Sequence, residues 1–141
     1  FLAALAARMP VRAGGPAAPA KQGEVGMFLD GAWHTLTLPA PPAGAARADT
    51  LDVEVLHQHV LGPILEIGDV RSDKRIDFIG GSRGTAELER LVTGGKAAVA
   101  FSMYPVSIQD LLAIADASGI MPPKSTWFEP KLRDGLLVNL I

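Results

Sequence analysis

Hydrophobic and polar positions alternate most regularly in EVGMFLDGAWHTLTL, residues 24–38. Asp30-Gly31 suits a two-residue type I′ turn, which needs positive φ at both central positions. In the register that this turn sets, Phe28 faces Trp33 across the two strands. The pattern predicts a β-hairpin, and the apolar side chains of its other face are Val25, Met27, Leu29, Leu36 and Leu38.

Apolar residues at four-residue spacing in ADTLDVEVLHQHVLGP, residues 48–63, predict a helix. Asp49 or Thr50 is expected to act as its N-cap. Acidic residues follow in the first turn, where the positive end of the helix dipole favours them. Gly62-Pro63 predicts the end of the helix.

Two more helices are predicted further along the chain. Thr85 is expected to cap the first of them, and Gly94-Gly95 to end it. Ser107 and Asp110 have the spacing of a capping box before the second. The apolar stripes of these helices are Leu88, Leu91 and Val92 in the first, and Ile108, Leu111, Leu112 and Ala115 in the second.

Three short apolar segments predict further strands: RIDFIGG (75–81), AAVAFSM (97–103) and GLLVNLI (135–141). The connection between the first two is long enough for a parallel pairing with a helix across it. The predicted class is therefore α+β (mixed α/β). One sheet would begin with an N-terminal antiparallel hairpin and continue as β-α-β-α-β, with the helices packed on it.

The remaining segments predict how the chain is organised. Residues 1–9, FLAALAARM, have the spacing of a short amphipathic helix, which we expect to end a preceding segment. Residues 10–23 are rich in proline, glycine and alanine and predict a flexible linker. Residues 24–141 are then expected to form a single α+β domain, the C-terminal portion of a longer protein.

Composition and charge narrow the class of partner. The chain has 13 basic and 15 acidic residues and a net charge of −2, which gives no electrostatic case for nucleic acid. It contains no cysteine, which excludes disulfides and thiolate metal sites. The apolar N-terminal stretch is too short to span a bilayer, so no membrane association is expected.

A first candidate binding site is GGSRGTAE, residues 80–87, between a predicted strand and a predicted helix. Free backbone N–H groups and the helix dipole favour an anion there, contacted by Gly81, Ser82 and Arg83. Asp77, in the predicted strand, could face the same ligand. The segment matches neither a Walker loop nor GxGxxG, and a plain strand-to-helix turn that uses glycine for positive φ is the favoured interpretation.

A second candidate site is MPPKSTWFEPK, residues 121–131. Its three prolines stiffen the loop, which lowers the entropy lost when a ligand binds. An ammonium group and two hydroxyls offer a grip for phosphate, and a carboxylate could accept a proton or hold a cation. The proposed ligand-binding residues are Lys124, Ser125, Thr126, Glu129 and Lys131.

The same loop has a second interpretation as a lid over the sheet. Trp127 and Phe128 would then fill a gap in the core, while the prolines fix the turn and the charged side chains remain in solvent. The residues alone leave these two interpretations open.

The histidines do not predict a metal site or a hydrolase. His57 and His59 are two residues apart on a predicted helix and do not share a face, whereas helical zinc sites use a spacing of four. His34, Ser107 and Asp110 match no triad motif, and no GxSxG elbow occurs.

Three stretches together resemble a known family: LDVEVLHQHVLGPIL, IDFIGGSRGTAELERLV, and the run from AVAFSMYPVSIQDLL through IADASGIMPPKSTWFEPKL to GLLVNLI. They are similar to the C-terminal part of a bacterial and archaeal family known only as a domain of unknown function, numbered 1015. The resemblance spans roughly residues 24–141, and MPPKSTWFEPKL is its most specific part. It implies a cytoplasmic protein whose large N-terminal portion, absent here, would be a partner of this chain.

That family is in turn similar to the ParB/sulfiredoxin-like group, some of whose members are nucleotide-dependent kinases of free serine. The resemblance implies a phosphate- or nucleotide-handling small-molecule enzyme that uses ATP or ADP with Mg²⁺ in the full-length protein. Lys124, Ser125 and Thr126 would contact a small phosphorylated ligand. The alternative is a non-enzymatic regulatory or interaction module, whose Trp127/Phe128 loop docks another domain or a second subunit in a homo-oligomer.

Overall fold

A four-stranded antiparallel sheet forms the centre of the molecule, in the order β1-β3-β2-β4. The computed structural model describes residues 1–126. Helices pack on both faces of the sheet, so the predicted α+β class is confirmed. The strands are β1 (Val11–Ala13), β2 (Glu24–Leu29), β3 (Ala32–Thr37) and β4 (Ala100–Met103).

The predicted hairpin is confirmed as β2 and β3. Asp30 and Gly31 have φ angles of 49° and 78°, as a type I′ turn requires. Phe28 lies directly opposite Trp33, and their ring centroids are 5.1 Å apart. Local turn chemistry and strand alternation are therefore enough to set the register of this hairpin.

The predicted parallel pairing is wrong. Strand β4 pairs antiparallel with β2, and β1 pairs antiparallel with β3, so both edges of the hairpin are occupied. Residues 75–81 form no strand. The Asp77 carboxylate accepts a hydrogen bond from the backbone N–H of Phe78 at 2.8 Å. Such local bonding competes with the ladder of a sheet.

Part of the predicted linker is a strand. Val11 pairs with Leu36, and Ala13 pairs with His34, at the edge of the sheet. Every residue type has a backbone carbonyl, and every type except proline has an N–H, so composition alone did not reveal the hydrogen bonds to β3. The final predicted strand, residues 135–141, lies outside the described residues.

One face of the sheet carries the main hydrophobic core. It packs beneath α1 (Leu2–Ala6), α2 (Asp52–Leu56) and the π-helical turn His57–Leu61 that continues α2. Burial of this apolar surface is the main favourable contribution to the fold. The buried core residues are Leu5, Met9, Val25, Met27, Leu36, Leu38, Val55, Leu56, Val60, Leu61 and Ile67.

The start of α2 differs from the prediction. Asp49 and Thr50 do not cap it, because they belong to a separate 3₁₀ turn, Arg47–Thr50, whose Thr50 hydroxyl donates to the Arg47 carbonyl at 2.8 Å. Helix α2 begins at Asp52 without a side-chain cap. Arg47, in the 3₁₀ turn, and Asp52, at the start of α2, both line the cleft described in the next section.

Helix α3 (Gly84–Thr93) lies against the sheet, where the Trp33 Nε1–H donates to Glu89 at 2.6 Å. Thr85 lies inside the helix and is not its cap, since a 3₁₀ turn, Gly81–Arg83, leads directly into it. The predicted end at Gly94-Gly95 is confirmed. The Lys96 N–H bonds to the Leu91 carbonyl across a Gly95 with φ of 69°.

Helix α4 (Ile108–Asp116) begins at the predicted capping box, which is confirmed. Its apolar stripe faces inward only in part: Ile108 and Leu112 are 65% and 55% exposed and Leu111 is partly buried, while Asp110 and Ile114 are buried. The cause is the ion pair between Asp110 and Arg47, which turns the Asp110 side of the helix towards the body of the protein. Among residues 1–126, no helix is long and apolar enough to cross a membrane.

Candidate functional site

A cleft of about 510 Å³ opens between the segment Lys21–Glu24, the proline-rich stretch after β3, and the start of α2. Its volume lies within the range of pockets that hold small ligands. Charged and hydroxyl side chains from separate parts of the chain meet here. The polar lining residues with such side chains are Lys21, Glu24, Thr37, Arg47, Thr50 and Asp52.

Arg47 is held in place by Asp110. The Arg47 Nε donates to Asp110 Oδ1 at 2.7 Å, and Arg47 Nη2 donates to the same oxygen. The Asp110 side chain is 6% exposed, whereas the Arg47 side chain is 49% exposed. The pair therefore has a buried carboxylate at one end and a guanidinium that borders the cleft at the other.

The ionised form of Asp110 is stabilised by its partners. Burial alone would raise the pKa of this carboxyl, but hydrogen bonds from Ser107 and Arg47 and the charge of Arg47 outweigh it. The pKa of Asp110 is therefore lowered from its ordinary value of 3.8. The Ser107 hydroxyl donates to Asp110 Oδ2 at 2.7 Å.

This lowered pKa predicts a dependence of stability on pH. Above pH 3.8 the contribution of ionised Asp110 is fully present. As pH falls further, the unfolded chain binds a proton first and the folded protein loses this contribution. We expect the free energy of unfolding of wild-type protein to fall more steeply below that pH than that of Asp110→Asn, measured by urea unfolding followed by circular dichroism.

The control for this pH experiment is Asp116→Asn, which removes a carboxylate from the last residue of the same helix. It should retain the acid profile of the wild type. Parallel profiles for wild type and Asp110→Asn would show that the Asp110 contacts do not favour its ionised form.

Asp52 also lines the cleft. Its two carboxylate oxygens accept from the backbone N–H of Gly23 at 3.1 and 3.0 Å. Burial raises the pKa of Asp52, and the hydrogen bond from Gly23 opposes that effect only in part; the negative charge of Asp110 raises it further. A carboxylate that is partly removed from water in this way gains from a nearby cation.

The cleft therefore combines charges of both signs. Lys21 and Glu24 lie 3.8 Å apart at its rim, where the Lys21 side chain is 75% exposed. With Arg47 and Asp52, the lining contains two cationic and two anionic side chains. Such a lining is complementary to a small molecule that has both a negative and a positive group.

A second, smaller cleft lies beside one of the two candidate loops. Pro122 and Pro123 of the second loop line it together with Phe78 and His57. Its volume is about 30 Å³, which corresponds to about two water molecules. None of residues 80–87 lines this space.

The predicted phosphate-binding residues are on the surface. Gly81, Ser82 and Arg83 form the exposed 3₁₀ turn before α3, and Lys124 and Thr126 are exposed. The Ser125 hydroxyl donates to the Pro122 carbonyl at 2.6 Å, which closes a local turn. Within residues 1–126, no hydrogen bond or ion pair joins the two groups.

The role assigned to these residues stays a prediction. Asp77 is also exposed, and its carboxylate is bonded to Phe78 as described above. Glu129 and Lys131 lie outside the described residues, as do Trp127 and Phe128.

His57 contacts backbone carbonyls. Its Nε2 lies 3.3 Å from the Ile67 oxygen and 3.1 Å from the Gly68 oxygen, and its Nδ1 lies 3.9 Å from Glu54 Oε1. These contacts fix the loop after the π-helical turn. In the described part of the chain, no three histidine or acidic side chains are grouped so as to hold a metal ion.

The large cleft is not among the sites that the sequence predicts. Part of its lining comes from the predicted linker and part from PAPPAGAARA, residues 39–48, a stretch rich in proline and alanine. The one available signal was Arg47, the sole charged residue of that second stretch.

The chain was compared with known protein families, with curated proteins and with solved structures, and none of them matches it. Its resemblance to the family numbered 1015 stays a prediction. The geometry of the cleft is therefore the basis on which a function is inferred.

Proposed function

We propose that this chain binds a small metabolite with both an anionic and a cationic group, such as a free amino acid, in the large cleft. The observation that carries the proposal is the meeting of half-exposed Arg47 and partly buried Asp52 in one cleft of about 510 Å³. Binding there would serve a phosphate-handling small-molecule enzyme by holding the molecule on which it acts.

Arg47 is the proposed contact for the negative group. Its Nε and Nη2 bond to Asp110, and within the described residues its Nη1 makes no hydrogen bond. A guanidinium has five N–H donors in one plane, so the edge away from Asp110 can still bind a carboxylate or phosphate. The Thr50 hydroxyl and the Lys21 ammonium line the same cleft.

Asp52 is the proposed contact for the positive group. Burial disfavours its charged form, as its raised pKa shows. An ammonium group placed beside it would compensate for the water that the carboxylate has lost. Glu24, which also lines the cleft, adds a second carboxylate.

Phosphotransfer is the reaction that the family resemblance implies. ATP with Mg²⁺ would supply the phosphoryl group in the full-length protein, and this chain would contribute positioning and charge neutralisation. The proposed grip by Lys124, Ser125 and Thr126 is separate from the cleft. The alternative role as a docking module depends on Trp127 and Phe128 and also stays a hypothesis.

The proposal is tested by calorimetric titration of the 141-residue chain with free amino acids. Each amino acid that binds is compared with its α-amide, which lacks the carboxylate, and with the matching acid that lacks the amino group. We expect both analogues to bind at least about tenfold more weakly, a loss of about 1.4 kcal/mol. Absence of binding by every free amino acid, or equal binding of the amides, would contradict the proposal.

The same titration locates the site. Arg47→Ala should weaken binding of the amino acid by about 10- to 100-fold, because hydrogen bonds to a charged group contribute about 1.5–3 kcal/mol. The matched control is Arg71→Ala, whose guanidinium pairs with Asp69 on an exposed turn and does not line the cleft. If both variants bind as the wild type does, the ligand lies elsewhere.

A further inference from the structure

Asp110 connects two structures that are distant in the sequence. Its Oδ2 accepts from the Ser107 backbone N–H at 3.4 Å and from the Ser107 hydroxyl at 2.7 Å. In return, the Asp110 N–H donates to Ser107 Oγ at 3.1 Å, which completes the capping box of α4. Its Oδ1 accepts from Arg47, 63 residues earlier in the chain.

The two carboxylate oxygens of Asp110 therefore accept hydrogen bonds from different parts of the chain. Oδ2 accepts those at the start of α4, and Oδ1 accepts those of the guanidinium at the cleft. A guanidinium is planar and rigid, so fixing its Nε and Nη2 also fixes the direction of its remaining N–H groups. A lysine at position 47 would lack this property, because its ammonium group rotates freely.

We propose that Asp110 is a positioning residue for the ligand cleft: from outside the cleft it orients Arg47 for binding of the ligand's anionic group. The inference rests on the proposed function, since the ligand is the one proposed above. Asp110 itself is not a lining residue of the cleft, so its effect on the ligand passes through Arg47.

Charge and orientation make opposite predictions for this residue. Removing the Asp110 carboxylate makes the surroundings of the cleft more positive, so charge alone predicts tighter binding of an anionic group. Loss of orientation predicts weaker binding, because a mobile guanidinium must be ordered each time the ligand binds. The lost carboxylate also attracts the ligand's cationic group less, so for a ligand with both charges, charge alone predicts little net weakening, and a clear loss of affinity indicates loss of orientation.

The experiment compares Asp110→Asn with two matched variants by calorimetric titration with the free amino acid that binds wild type. Asp116→Asn removes the same charge from the other end of α4. Ser107→Ala removes the capping hydroxyl but leaves the Arg47 contact in place. We expect Asp110→Asn to weaken binding about tenfold, and both controls to bind within about twofold of wild type. Circular dichroism confirms that each variant is folded.

A double-mutant cycle shows whether the effect passes through Arg47. In an Arg47→Ala background, Asp110→Asn should change affinity by less than about twofold. Unchanged or tighter binding by Asp110→Asn in the Arg47 protein would overturn the proposal. So would equal losses in Asp110→Asn and Ser107→Ala, since a purely structural role of the capping box would affect both alike.

An NMR measurement on the ligand-free protein tests the orientation of Arg47 independently of the proposed function. The Nε–H of Arg47 should give a slowly exchanging NMR signal in wild type and in Ser107→Ala, and should lose that protection in Asp110→Asn. If the signal is protected but no amino acid binds, Arg47 is oriented by Asp110 and only the proposed function is contradicted. Absence of protection in wild type would overturn the positioning role directly.

Discussion

Replacing Leu36 with alanine is expected to lower the free energy of unfolding by about 2–5 kcal/mol, the range for a fully buried leucine. Leu36 is 0% exposed and lies in β3, in the main core cluster. Its truncation removes apolar contacts and leaves a cavity between the sheet and the helices above it. Urea unfolding followed by circular dichroism measures the change.

Leu112→Ala is the matched control, because the same chemical change is made at a residue that is 55% exposed. It should change the free energy of unfolding by less than about 0.5 kcal/mol. Equal effects of the two substitutions would mean that the face of the sheet towards α2 is not the core.

The second large effect is expected from Gly26→Ala, with a loss of about 1–3 kcal/mol. Gly26 lies on the central strand β2, where a Cβ atom would lie 2.6 Å from the Ala17 carbonyl oxygen. That oxygen belongs to backbone that crosses the sheet, so it cannot move aside as a side chain does. Thermal and urea unfolding of the variant test this directly.

Gly68→Ala is the control for backbone entropy, since a Cβ at Gly68 would meet nothing within 4 Å. It should be neutral or slightly stabilising, because alanine restricts the unfolded chain. A stable Gly26→Ala variant would contradict the close passage of residues 14–17 over the sheet.

Local chemistry made part of this fold predictable. The type I′ turn at Asp30-Gly31, the capping box at Ser107 and the glycine end of α3 each depend on residues within a few positions of one another. Such features are encoded by short segments, so a single sequence was enough to identify them.

Three of the errors depend on residues far apart in the chain. The face of α4 that turns inward is set by the contact of Asp110 with Arg47, and periodicity placed Ile108 and Leu112 there instead. The segment 75–81 has strand-like composition but no free edge of the hairpin to join. The cleft arises from connecting segments whose composition indicated only flexibility.

The contact between Arg47 and Asp110 also has a consequence for the order of folding. The two residues are separated by 63 positions, and bringing them together closes a long loop that includes α2, α3 and β4. Closure of such a loop costs entropy before its contacts form. We therefore expect Arg47 to reach its position at the cleft after the hairpin has formed, when α4 docks.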